Sequence, residues 1–64
     1  MNKYKVYSPN CLAIAVKYFD NLDNAYEYYN EKVLELLTKD NTNKIQMQLE
    51  DNLGNVIDHG TIVG

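Results

Sequence analysis

The first twenty residues alternate between polar and bulky positions with a period of two, which is typical of strands with one buried face. The alternation runs through residues 3–7 and again through residues 11–19. Between these segments, Ser8-Pro9-Asn10 provides turn chemistry, because proline fixes φ and asparagine tolerates tight conformations. The pattern predicts an antiparallel hairpin of two strands.

Pairing the two strands around this turn determines which residues share a face. Val6 would lie opposite Leu12 and Tyr4 opposite Ile14, so that one face is bulky and apolar. We expect this face to be buried and the second face to be solvated. The second face carries small, cationic or aromatic side chains, namely Lys3, Lys5, Tyr7, Ala13, Ala15 and Lys17.

Residues 22–38 carry apolar side chains at three- and four-residue spacing, which predicts an amphipathic helix. Asp20 or Asn21 can cap its free N–H groups, and Asp23 lies in the first turn, where the helix dipole favours a negative charge. Residues 40–43 would follow the helix as a polar connector. The apolar stripe consists of Leu22, Ala25, Tyr26, Tyr29, Val33, Leu36 and Leu37.

The last third of the chain predicts a second hairpin. Residues 44–50 alternate again, and residues 56–63 form the final strand. Residues 51–55, Asp-Asn-Leu-Gly-Asn, are typical of a type I turn closed by a left-handed glycine, the bulged hairpin loop. Gly60 within the last strand indicates a bulge or a close neighbour. This turn would place Leu49 opposite Ile57, Met47 opposite His59 and Ile45 opposite Thr61.

These elements predict one domain of 1–64 with an α+β fold. In this two-layer ββαββ arrangement, one helix packs on a four-stranded, mainly antiparallel sheet. A helix covers about 10 Å of sheet width, whereas four strands about 4.8 Å apart span nearly twice that distance. We therefore expect a second copy to cover the remaining sheet surface or a strand edge, which would give a homodimer.

Composition restricts the class of protein. The chain has a net charge of −3, six lysines and no arginine, which is unlike the basic footprint of a typical nucleic-acid binder. Its content of Asn, Lys, Tyr and Ile matches A/T-rich codons and indicates a low-G+C bacterium or its phage or prophage. One cysteine excludes an internal disulfide and favours the reducing cytoplasm. No run of about 18 apolar residues predicts a membrane span.

The sequence gives little support for catalysis. His59 is the sole histidine and Cys11 the sole thiol, and nothing in the sequence brings them together. The glycines form no phosphate-binding loop, and the Cys and His residues are too few for a metal site of that type. We expect a protein that is not an enzyme and that has no cofactor and no metal.

One side of the predicted helix is acidic. Asp23, Glu27, Glu31 and Glu35 recur every four residues and would form one strip, beside which Tyr28 should be exposed. Such a strip is either a solvated surface or a binding surface for a basic protein partner. In the second case the carboxylates would imitate the phosphates of nucleic acid and inhibit a protein that binds DNA or RNA.

Three functions therefore stay open. The preferred interpretation is a small protein-interaction module that binds another protein or itself through the helix edge or an open strand. The acidic nucleic-acid-mimicking inhibitor is the second. The third is a weak nucleic-acid binder that uses the sheet face with Lys3, Lys5 and Lys17, although the negative net charge makes direct nucleic-acid binding less favourable.

Overall fold

The structure is a computed structural model that describes residues 3–38 and 44–63. It consists of one helix packed against an antiparallel sheet of four strands. The elements are β1 (Tyr4–Tyr7), β2 (Lys17–Phe19), α1 (Leu22–Leu37), β3 (Ile45–Glu50) and β4 (Val56–Ile62). The sheet has the strand order β2-β1-β3-β4, so the predicted ββαββ fold is confirmed. The predicted connector at 40–43 lies outside the described residues.

The helix begins and ends nearly where the sequence predicts. The Asn21 side chain accepts a hydrogen bond of 3.0 Å from the backbone N–H of Asn24, which caps the first turn. The Thr38 N–H donates to the Leu34 carbonyl at the other end. Of the predicted apolar stripe, Ala25, Tyr29 and Leu36 are buried, Leu22, Tyr26 and Val33 are half-buried, and Leu37 is exposed.

The predicted first hairpin is wrong in length and register. β2 contains only three residues, and residues 11–16 form a loop in which Leu12 is fully exposed. The chain does not turn back directly after β1, and the Asn10 side chain instead binds the start of β3. Its Oδ1 accepts from the Gln46 N–H at 2.9 Å and its Nδ2 donates to the Lys44 carbonyl at 3.0 Å. The observed pairs are Tyr4–Phe19, Lys5–Tyr18 and Val6–Lys17.

The second hairpin has the predicted turn. Gly54 has φ = 85°, the Gly54 N–H donates to the Asp51 carbonyl at 3.2 Å, and the Asp51 N–H donates to the Asn55 carbonyl at 3.0 Å. The Asp51 Oδ1 also accepts from the backbone N–H groups of Leu53 and Asn55. Local sequence therefore determines this turn.

The predicted register beyond the turn is wrong by one residue. An irregularity at Leu49/Glu50 leaves Ile57 without a partner in β3, as an extra residue of β4. Every later side chain of β4 therefore lies on the face opposite to the one predicted. As a result Ile62 is buried, and Thr61 and His59 are exposed. The observed pairs include Leu49–Asp58, Met47–Gly60 and Ile45–Ile62.

The core lies between α1 and the two central strands. Val6, Met47 and Leu49 are fully buried there, and they come from β1 and β3. The helix packs chiefly over β1 and β3 and least over β4. β4 contributes the buried Ile62 to the same core.

Candidate functional site

The predicted acidic strip forms and is solvated. Asp23, Glu27, Glu31 and Glu35 are all exposed on α1. The Nζ of Lys32 lies 3.3 Å from Glu35 Oε2. Within residues 3–38 and 44–63, the other three carboxylates form no ion pair within 4.0 Å. The strip therefore presents mostly uncompensated negative charge to solvent.

The predicted exposure of Tyr28 is wrong, because its ring packs on another aromatic side chain. Tyr28 is half-buried, and its ring centroid lies 5.3 Å from that of Phe19 at an interplanar angle of 41°. Phe19 ends β2, so this contact joins the helix to the shortest strand of the sheet. Tyr28 thus extends the core at this edge.

The predicted lysine face is also wrong, because the observed register separates its members. Lys5 lies opposite Tyr18 on the face away from the helix, whereas Lys17 lies opposite Val6 on the other face. The Nζ of Lys3, just before β1, is 3.8 Å from Oδ1 of Asp20, just after β2. The three lysines therefore do not form one cationic surface.

The sheet face opposite the helix is open and polar. The Tyr7 hydroxyl donates to the Glu50 carboxylate and lies 2.7 Å from Gln48 Oε1, and the Nζ of Lys5 lies 4.3 Å from the centroid of the Tyr7 ring. The hydrogen bond to Glu50, with burial and the Glu50 charge, raises the pKa of Tyr7. The side chains of β1 and β3 on this face therefore bind one another through hydrogen bonds and a cation–π contact.

A shallow depression of about 150 Å³ lies on the same face, which is smaller than the 300 Å³ or more of most ligand pockets. His59 lines it, opposite Gln48 rather than beside Met47 as predicted, because of the extra residue in β4. Cys11 is half-buried in the loop after β1. In the part of the chain that the structure describes, no three His, Cys, Asp or Glu residues could together hold a metal ion.

The outer edge of β4 is a surface that the sequence pattern did not identify. The Gln46 N–H donates to Asn10, on the β1 side of β3, and so points away from β4. Because bonded and non-bonded pairs alternate in an antiparallel ladder, Thr61 opposite Gln46 directs its N–H and C=O outward. His59, two residues earlier, does the same, and its N–H donates to Asp58 Oδ1 at 2.8 Å. We call these outward groups, with the side chains of residues 56–63, the β4 edge.

Apolar side chains lie at both ends of the β4 edge. Val56 is 48% exposed, Ile57 38% and Val63 64%. Strands at the edge of a sheet are commonly protected from pairing by lysine, proline, a short length, a β-bulge or an inward-pointing charge. β4 has seven residues and neither lysine nor proline, and its protective features, the extra residue Ile57 and the half-buried Asp58, both lie in its first half.

Asp58 lies on the helix face of β4, and its Oδ1 also accepts from the outward His59 N–H. It lies opposite the buried Leu49. Burial raises the pKa of Tyr26, as do the Asp58 charge and a hydrogen bond to Asp58. Burial and the Asp58 charge likewise raise the pKa of Tyr29. The carboxylate therefore joins β4 to α1, and it also accepts from one of the outward N–H groups of the β4 edge.

Comparison of the chain with protein-family models, with curated proteins and with solved structures found no match. Over residues 3–38 and 44–63, none of the helical structure has both the length and the apolar character needed to cross a membrane.

Proposed function

We propose that this chain is a small, non-enzymatic protein-interaction module, and that a partner binds it by adding a strand to the β4 edge. The observation that carries this proposal is the outward direction of the His59 and Thr61 backbone groups on a seven-residue strand. Backbone groups of this kind give affinity in strand addition, and the neighbouring side chains give specificity. Exposed Ile57 and Val63 would provide apolar contacts at the two ends.

The acidic strip supports a second candidate function. Asp23, Glu27 and Glu31 have no cationic partner among the described residues, so they are available to a basic surface of another protein. A DNA- or RNA-binding protein has such a surface, and the chain would then act as an inhibitor that mimics nucleic acid. The net charge of −3 makes this strip weaker than the β4 edge as a basis for function.

Capture from a lysate of the encoding organism by four immobilised forms of the chain tests the first proposal. Thr61→Pro removes an outward N–H without removing a bond to β3, and Thr61→Ser is its matched control. A third variant replaces Glu27, Glu31 and Glu35 by Gln. We expect the wild type, Thr61→Ser and the triple variant to retain the same protein, and folded Thr61→Pro to lose it. Equal capture by all four forms would reject the β4 edge as the binding surface.

Salt concentration separates the two candidates. Binding through carboxylates weakens steeply as salt increases, because exposed charges are screened beyond about 8 Å at 0.15 M ionic strength. Binding through backbone hydrogen bonds and apolar contacts should persist. Capture that disappears with salt and with the triple Gln variant, but survives Thr61→Pro, would instead favour the nucleic-acid mimic.

A further inference from the structure

We infer that the strand added at the β4 edge is β4 of a second copy of this chain, in a two-fold antiparallel dimer with one continuous eight-stranded sheet. This inference rests on the proposed function, because it takes the β4 edge as the binding surface and names its occupant. The backbone, the side chains and the other end of the sheet each support it.

The outward backbone groups are complementary to themselves. In an antiparallel arrangement centred on Gly60, His59 of each copy lies opposite Thr61 of the other. Each such pair can exchange two N–H···O hydrogen bonds, because both residues direct their N–H and C=O groups away from β3. The His59 N–H would leave Asp58 Oδ1, its present acceptor, for the second copy.

The side chains agree with this register. Ile57 of each copy would lie near Val63 of the other, so that exposed apolar groups meet at both ends of the new pair. Asp58 would lie opposite the buried Ile62 of the second copy. The two Asp58 residues would then be four positions apart along the strands, or about 13 Å, so that like charges do not face each other.

The opposite edge of the sheet explains why the association would stop at two copies. β2 has only three residues, includes Lys17, and is flanked by the Lys3–Asp20 ion pair. Short length and charge protect an edge strand from pairing. β4 keeps outward backbone groups at His59 and Thr61, beyond its bulge, and β2 does not offer a comparable edge. Pairing between two β4 edges is therefore closed and does not continue into a fibre.

Sedimentation velocity from one to several hundred micromolar protein, with reductant present to prevent linkage through Cys11, tests this inference. Two edge variants, Thr61→Pro and Ile57→Lys, are compared with Thr61→Ser and with Leu53→Lys, which puts the same charge on an exposed apolar residue of the hairpin turn. We expect the wild type and both controls to reach twice the monomer mass. The edge variants should dimerise at least tenfold more weakly, with unchanged circular dichroism.

Amide hydrogen exchange gives an independent measurement on the unmodified chain. The His59 and Thr61 amides should exchange more slowly as the concentration rises, because the dimer buries them. A wild type that stays monomeric at every concentration would overturn the inference, as would a dimer that folded Ile57→Lys leaves intact. If Thr61→Pro does not fold, the dimerisation of Ile57→Lys and the exchange rates of the wild type still test the inference.

The failure of this inference can be distinguished from failure of the proposed function. A monomeric wild type that captures a different protein, and loses it in the edge variants, would reject the second copy but retain the β4 edge as a binding surface. A monomer whose capture does not depend on the edge would reject both.

Discussion

The hydroxyl oxygen of Tyr29 lies 3.3 Å from the position that a β-carbon would occupy at Gly60. Tyr29 is 6% exposed and is held in the middle of α1, so its ring has little room to move away. Gly60 lies opposite the fully buried Met47 in the adjacent strand. Glycine at this position therefore allows the helix to approach β4 closely.

Gly60→Ala should lower the free energy of unfolding by about 1 kcal/mol, because overpacking outweighs the gain from removing a flexible glycine. Urea denaturation followed by circular dichroism measures this loss. Tyr29→Phe removes the obstructing hydroxyl, so in that background Gly60→Ala should cost nothing or stabilise the fold. An equal cost in both backgrounds would show that the strain lies elsewhere.

Gly60 also illustrates what the sequence could predict. The helix, the Asn21 cap and the left-handed Gly54 are confirmed, because each depends on residues near one another in the chain. The predicted close neighbour at Gly60 is also confirmed, but the chain position of that neighbour, Tyr29, does not follow from the local pattern. The register of β4 depends on an extra residue, Ile57, which the alternation of polar and apolar residues does not reveal. One such residue moves every later side chain to the other face of the sheet, and the side chains of Thr61 and His59 therefore lie on the face away from the helix.

The prediction of the first hairpin was wrong for a similar reason. A turn at Ser8-Pro9-Asn10 is the local choice, but the Asn10 side chain instead binds the distant Lys44 and Gln46 backbone. That contact is 34 to 36 residues away in sequence, so no local pattern contains it. Among the candidate site residues, helical spacing correctly predicted that the carboxylates of the acidic strip are exposed. The Tyr28–Phe19 contact could not be predicted in the same way, because it depends on where β2 ends in the folded structure.

Asn10→Ala should lower the free energy of unfolding by about 1–2 kcal/mol, because it removes two hydrogen bonds that join the loop to β3. Asn10→Asp keeps an acceptor for the Gln46 N–H but cannot donate to the Lys44 carbonyl, and we expect an intermediate loss. Chemical denaturation measures both variants. If Asn10→Ala matches the wild type, these two hydrogen bonds do not stabilise the fold.

Stability should fall as the pH rises above about 10. The pKa of Tyr7 is raised by the hydrogen bond to Glu50, and the pKa values of Tyr26 and Tyr29 are raised chiefly by burial. A raised pKa in the folded state stabilises the fold fully below the unfolded pKa, and this contribution is lost as pH rises through the folded pKa. Urea midpoints measured between about pH 9 and 11, with Tyr7→Phe for comparison, check this. The variant should show a shallower decrease than the wild type.

Acid should weaken the hairpin turn. Backbone hydrogen bonds, the largest from Asn55, lower the pKa of Asp51 below its ordinary 3.8. This contribution to stability is present above the unfolded pKa and is lost as pH falls through the folded pKa. Asp51→Asn should remove that part of the acid dependence and lower the urea midpoint at neutral pH. The same acid profile in the variant and the wild type would exclude Asp51 as its source.

Replacement of Glu27, Glu31 and Glu35 by Gln should leave the chain folded, with an unfolding free energy within about 0.5 kcal/mol of the wild type. All three carboxylates are exposed, and removing them relieves repulsion between charges four residues apart. It also removes the partly solvated pair between Lys32 and Glu35, which has the opposite effect. The double variant Glu27→Gln/Glu31→Gln keeps the pair between Lys32 and Glu35, so it separates the relief of repulsion from the loss of that pair. It should be at least as stable as the triple variant. Unfolding of the triple variant at neutral pH would show that the strip supports the fold, and its use as a binding surface could then not be tested by charge removal.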